Sequence, residues 1–263
     1  MNIKTEYKTF LLLLLSAMLF ASCFNEKKLI YFQKTPNHGD TVEVSKIYVP
    51  KIQTGDILSI YVNSLSPEAS SFFNPYSANA VTAPTTDGMG LSQGSAPGYL
   101  VDSTGNIDLP LVGAISVKGL TTTQAHDIIK DSLNVYLKDP TVIVRFLNYR
   151  ISILGEVSRP GIYVIPNESV TIPEAITMAG DVTNFANRDD LQIIRSVKDK
   201  KEFGSVSLLK RDLFSSPYYY LHANDIVYVK ATKTKVTQTD VLFKAVPFIL
   251  TIVTAAILIL TKL

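Results

Sequence analysis

The chain has no tryptophan, one cysteine and three histidines among its 263 residues. A single cysteine excludes an internal disulfide. His38, His126 and His222 are isolated in sequence, and no His/Glu or Cys/His pair has metal-ligand spacing, so the residues ask for no metal and no cofactor. A G-x-S-x-G elbow and a P-loop are both missing, and the glycines of TDGMGLSQG lack the following helix that a phosphate loop needs. Asp189 and Asp190 are adjacent in a polar stretch, where carboxylates are ordinarily solvated surface. These absences point away from an enzyme. An excess of one charge is missing as well: 25 Lys and Arg face 23 Asp and Glu, for a net charge of +2. Without a basic cluster, nucleic acid is not an expected partner.

Long apolar runs are present, one near each end. Lys4 and Lys8 precede the run Phe10 to Phe20, which has the length of a signal-peptide core and is too short for a comfortable span. Ala21, Ser22 and Cys23 follow. Apolar, small, small, Cys resembles a lipobox, so 1–22 is expected to be a lipoprotein signal and Cys23 the lipid attachment site; the alternative is an ordinary secretory signal with an incidental cysteine. The second run, Ala245 to Leu260, lies between Lys244 and Lys262, whose long side chains can snorkel to headgroups. A helix over 241–262 is expected to cross a membrane. Thr251, Thr254 and Thr261 fall on one side of it. They are either tolerated in a lipid-facing anchor, or face a partner helix or a lumen as pore-lining candidates.

Between the ends, 23–45 carries little pattern and reads as a tether. KIQTGDILSIYV has a Gly55-Asp56 turn followed by a strand. Ser64 to Gly98 is rich in Ser, Ala, Pro, Gly and Thr and is expected to be an irregular loop. YLVDSTGNIDLPLVGAISVKGL alternates short strands with turns. Thr121 and Gln124 have capping-box spacing, and Ala125, Ile128, Ile129, Leu133, Tyr136 and Leu137 recur at helical spacing up to Asp139-Pro140. TVIVRFLNY is a strand with Val142, Val144 and Phe146 on one face. The plan then repeats. ISILGEVSRPGIYVIP is strand, turn, strand; Thr171 and Glu174 cap a short helix whose buried stripe is Ile172, Ala175, Ile176 and Ala179; LQIIRS and DIVYVK are strands. Asn224-Asp225-Ile226-Val227 echoes Gly55-Asp56-Ile57-Leu58. The residues thus describe two α+β modules. Tyr218-Tyr219-Tyr220 could stack on sugar or could open a strand or a subunit contact, and the residues that bind polymer are unknown from sequence.

GYLVDSTGNIDLPLVGAISVKGLTTTQAHDIIKDSLNVYLKDPTVIVRFLNYR, with TGDILSI before it, resembles the polysaccharide export domain of Wza-type outer-membrane exporters. ISILGEVSRPGIYVIPNESVTIPEAITMAGDVTNFANRDDLQIIR resembles the soluble-ligand-binding (SLB) β-grasp module that follows it in that family. The resemblance implies an α+β fold: a polysaccharide export domain (46–148), one β-grasp-like SLB domain (150–231), then the C-terminal membrane helix. It implies an outer-membrane lipoprotein with most of its chain in the periplasm, forming a ring-shaped homo-oligomer that exports capsular polysaccharide or exopolysaccharide. Its expected partners are the polysaccharide, copies of itself, membrane lipid and an inner-membrane co-polymerase. A membrane-anchored periplasmic glycan-binding or scaffold protein is the alternative. Three departures stand out: one β-grasp module where some members have two, Ala179-Gly180-Asp181 where the family often has AGG, and a tail more uniformly apolar than a pore-lining helix should be.

Overall fold

The computed structural model describes residues 29–34, 40–76, 98–198, 200–233, 235, 245 and 251. Two buried apolar clusters divide the body. One runs from Ile52 to Val144 and the other from Tyr149 to Val229, with Phe146 packed against both.

The first cluster is built on an antiparallel sheet in the order β2-β1-β5, with β1 at Ile57–Asn63, β2 at Tyr99–Leu100 and β5 at Thr141–Phe146. The expected face of β5 is the buried one, carrying Val142 and Val144. A hairpin of β3 (Asn106–Leu109) and β4 (Gly113–Ser116) sits beside it. Its entry is fixed by Asp102, whose carboxylate accepts from the Thr104 and Asn106 backbone N–H groups at 2.8 and 2.9 Å. Such an Asx turn is the usual work of Asp in this position. The stretch expected to be wholly irregular contains a short helix, α1 (Pro67–Ser71). Ser66 caps it and Pro67 opens it, an N-terminal signal too brief to register as a periodic pattern.

Helix α2 (Thr122–Leu133) covers this sheet, and its capping box is formed in both directions. Ala125, Ile129 and Leu133 are fully buried. Two expectations fail here. The helix ends four residues short of Leu137, because the Leu133 carbonyl accepts from both Tyr136 and Leu137 N–H and closes a tightened turn. Ile128 and Tyr136 lie off the buried stripe, on exposed positions.

The second cluster lies against a mixed five-stranded sheet in the order β10-β9-β12-β6-β7. These strands are β6 (Arg150–Gly155), β7 (Gly161–Val164), β9 (Ala186–Val197), β10 (Lys200–Val206) and β12 (Ile226–Ala231). Only the β12–β6 pair in this sheet is parallel. A small pair, β8 (Val170–Thr171) with β11 (Tyr220–Leu221), leads into helix α3 (Ile172–Met178). Its capping box is complete, and Ile172, Ala175, Ile176 and Ala179 are all buried as their spacing predicts. β10 had no sequence signal: KKEFGSV is mostly exposed, and charged residues at a sheet edge discourage pairing with another chain.

Two residues of GEVSRPG have clear structural work. Gly155 has φ of +90°, and a Cβ there would lie 2.1 Å from the Val229 carbonyl, so β6 and β12 approach too closely for any side chain. Arg159 donates from Nη2 to the Met178 carbonyl at 3.0 Å, capping the C-terminal turn of α3. The echo between residues 55–58 and 224–227 is also structural. Gly55 and Asn224 both take positive φ, and each following aspartate accepts a backbone N–H from three residues back: Gln53 to Asp56 at 2.7 Å, His222 to Asp225 at 2.8 Å.

Candidate functional site

The stretch read as a tether docks, in its described part, on the second domain rather than on the domain that follows it in sequence. Phe32 and Gln33 N–H donate to the carbonyls of Leu208 and Leu209 at 3.0 and 2.6 Å, and Ser45 N–H donates to Phe214 at 2.8 Å. Arg211 Nε donates to the Phe32 carbonyl at 3.1 Å, and the Phe32 ring lies 5.2 Å from that of Phe214. The Tyr31 hydroxyl donates to Asp181 Oδ1 at 2.7 Å, with the Arg188 guanidinium 5.7 Å from the Tyr31 ring centroid. Burial raises the Tyr31 pKa, and the bond to Asp181 raises it further. Tyr31 and Phe32 help to line an apolar cavity of about 330 Å³ with Pro173, Ile176, Gly180 and Leu208.

Asp181 closes the turn after α3 with φ of +71°, beside Gly180 at +75°. Its carboxylate also accepts the Val182 N–H at 2.7 Å, the local bond that lets Asp tolerate the left-handed region. The aspartate in AGD therefore does more than end a helix: it holds the N-terminal strap.

The chain leaves the second domain at the same loop. After β12, Thr232 N–H donates to the Phe185 carbonyl at 2.7 Å. Lys235 Nζ pairs with Glu156, which also accepts from Thr183 Oγ1 at 2.8 Å. The hydrogen bond from Lys235, followed by that from Thr183, holds the Glu156 carboxyl below its ordinary pKa. Asp181 thus takes the incoming strap, while Phe185, four residues on, takes the outgoing segment directly and Thr183 braces the Glu156 that pairs with Lys235.

Of the residues singled out by sequence, Cys23, Thr254 and Thr261 lie outside the described residues; Thr251 is helical and exposed. Ala245 is helical too, and the rest of the segment expected to cross a membrane lies outside the description. Among the described residues no helix is long and apolar enough to cross a membrane, which says nothing of a β-barrel, and no cluster of His, Cys, Asp and Glu could hold a metal ion. The Tyr218 hydroxyl donates to Glu202, and the Tyr218 ring lies 5.3 Å from the Arg195 guanidinium carbon. Tyr219 packs on Phe214 at 5.5 Å, and Tyr220 opens β11. Asp190 accepts from Lys230 at 2.6 Å and from Ser205 at 2.7 Å, and these bonds, the Lys230 one foremost, lower its pKa. Asp189 accepts from Ser207 at 2.7 Å. The two carboxylates are therefore engaged by separate partners.

Sequence reasoning missed a buried polar cluster. Arg195 Nη2 donates to Asp225 Oδ2 at 2.7 Å and to the Tyr220 carbonyl at 3.0 Å, and its Nε reaches the same carboxylate at 3.1 Å. Asp225 is fully buried and Arg195 is 7% exposed. His222 stacks on Tyr48 at 3.5 Å and 17° between planes. Burial, then the Arg195 charge, pushes the His222 pKa down to about 4. Tyr149 is sealed beneath, donating to the Leu221 carbonyl at 2.8 Å, and burial raises its pKa. Contacts between positions 48 and 222, and between 195 and 225, leave no local pattern in a sequence.

The described residues thus form two α+β domains, the second built on a mixed five-stranded sheet. Residues 44–147 match the polysaccharide biosynthesis/export protein family, and residues 150–205 match the SLBB domain. The chain is 33% identical over 190 residues to the EPS I polysaccharide export outer membrane protein EpsA of Ralstonia solanacearum, covering 68% of this chain and 47% of that protein. It is 32% identical over 183 residues to the protein of the same name from Ralstonia nicotianae, with the same coverage of 68% and 47%. The chain therefore spans about half the length of these curated relatives. It belongs to the Wza-type polysaccharide biosynthesis/export family.

Proposed function

We propose that this chain is a non-enzymatic subunit of an outer-membrane conduit for exopolysaccharide or capsular polysaccharide. It assembles as a ring-shaped homo-oligomer and works with an inner-membrane co-polymerase that supplies the polymer. An acylated Cys23 anchors the N-terminus, and residues 241–262 form the membrane helix. Residues 46–148 act as the export domain and 150–231 as the SLB domain, both in the periplasm.

The observation that carries this reading is that the described strap and the segment leaving β12 reach the same loop. The strap is held at Asp181, and the outgoing segment is held at Phe185 and Glu156. The stretch from Cys23 to Leu29 spans at most about 20 Å, so a lipid on Cys23 stays near that loop. The segment leading to Ala245 starts from the same place. A lipidated N-terminus and one apolar segment leaving the same end of a domain enter one bilayer without stretching the chain across the body. The lipid and the membrane helix are two attachment signals that reinforce each other at one surface.

Thr251, Thr254 and Thr261 are proposed to face the lumen of the assembled helices. A second reading, an anchored periplasmic scaffold, is favoured by the uniform apolarity of Ala245 to Leu260, which offers a water-filled lumen only a thin polar stripe. Labelling a Leu263→Cys variant in intact cells with a membrane-impermeant thiol reagent separates the two. Labelling from outside is expected for the conduit; labelling only after permeabilisation would leave the scaffold.

A further inference from the structure

The two domains meet over a cavity of about 230 Å³ lined by Arg145, Phe146, Pro166, Asn167 and Glu168. Arg145 and Phe146 come from the end of β5, and Pro166 to Glu168 from the loop between β7 and β8. Among the described residues, the side chains of Arg145, Asn167 and Glu168 make no hydrogen bond or ion pair. An arginine and a glutamate thus line one small cavity without pairing with each other, and Glu168 is half-buried. Between them they leave free donors, free acceptors and an amide that offers both. The apolar wall is rigid. Phe146 packs against both cores and meets Tyr149 edge-on at 6.3 Å and 68°, and Tyr149 is pinned in turn by its bond to the Leu221 carbonyl.

We propose that this junction is a binding subsite for one uncharged pyranose unit of a polysaccharide. The inference rests on the export reading and deepens it by naming where polymer touches the chain. A pyranose presents hydroxyls that both donate and accept around a ring with apolar C–H faces. The cavity offers the matching set: Arg145 to donate, Glu168 to accept, Asn167 for either, and Phe146 beneath. The opposite charges of Arg145 and Glu168 favour neither a polyanion nor a polycation. The volume lies below the roughly 300–1,000 Å³ of sites that enclose drug-sized ligands, as suits one unit of a chain that continues into solvent. The Phe146 wall is packed against both cores before binding, so its part of the contact loses little entropy when the sugar arrives.

The test uses the full chain in detergent and saturation-transfer NMR, with uncharged hexamers of glucose, galactose and mannose and a hexauronate as probes. The wild type is expected to bind at least one uncharged hexamer and to prefer it to the hexauronate. Arg145→Ala and Glu168→Gln are each expected to weaken binding about tenfold, the scale of one charge-assisted hydrogen bond. Both act at positions outside the cores, so the thermal midpoint should stay put. Three outcomes overturn the subsite: no binding of any uncharged hexamer by the wild type, unchanged binding by both variants, or preference for the hexauronate. None of these touches the export reading, which is judged separately by polymer secretion from cells lacking the chain. Normal secretion there would sink that reading whether or not the cavity binds sugar.

Discussion

The Tyr31 hydroxyl and the Asp181 carboxylate, 150 positions apart, are joined by a hydrogen bond of 2.7 Å. It ties the incoming strap to the turn that ends α3. Tyr31→Phe and Asp181→Gly should each release it. Asp181→Gly also relieves the left-handed backbone, so its net cost should be the smaller. A double-mutant cycle in urea should give a coupling of about 1 kcal/mol. Hydrogen exchange at Phe32 and Gln33 should speed up in both single variants, and additive effects would mean that the bond does not hold the strap.

Asp225 is fully buried against Arg195. Asp225→Asn keeps the shape and removes the charge, leaving a guanidinium buried without its counter-ion. A loss of about 3–5 kcal/mol is expected from urea denaturation. A loss below about 1 kcal/mol would show that solvent reaches the pair.

His222 supplies a pH dependence. Its folded pKa of about 4 lies below the ordinary 6.5, so between these values the unfolded chain binds the proton and the folded chain does not. Stability from this residue is complete above pH 6.5 and is lost as pH falls through about 4. His222→Gln should flatten the fall in thermal midpoint across that window. An unchanged slope would assign it to the carboxylates.

Gly155 allows the close approach of β6 and β12. Gly155→Ala puts a methyl group 2.1 Å from the Val229 carbonyl in a backbone conformation that L side chains rarely adopt. The expected cost is about 3 kcal/mol or more, read as a lower thermal midpoint or failure to accumulate folded protein. Ordinary stability would mean that the parallel pair can part without consequence.

Local rules carried much of the fold in the sequence alone. Both capping boxes join residues three apart and both formed. The four-residue stripe of α3 and the alternation in β5 are likewise patterns of one element facing one core. The recurring turn before Ile57 and Ile226 was visible for the same reason, since its aspartate bonds three residues back. The export and SLBB motifs are strings of such local requirements, which is why the family is legible in the sequence. Tertiary structure decided the rest. β10 exists because β9 pairs with it, not because KKEFGSV alternates. α2 stops at Leu133 because Leu137 reaches the core through a turn. The strap's docking, the Arg195–Asp225 pair and the junction cavity each join residues far apart in the chain. Their energies arise from burial and partner geometry, which exist only once the two cores have formed.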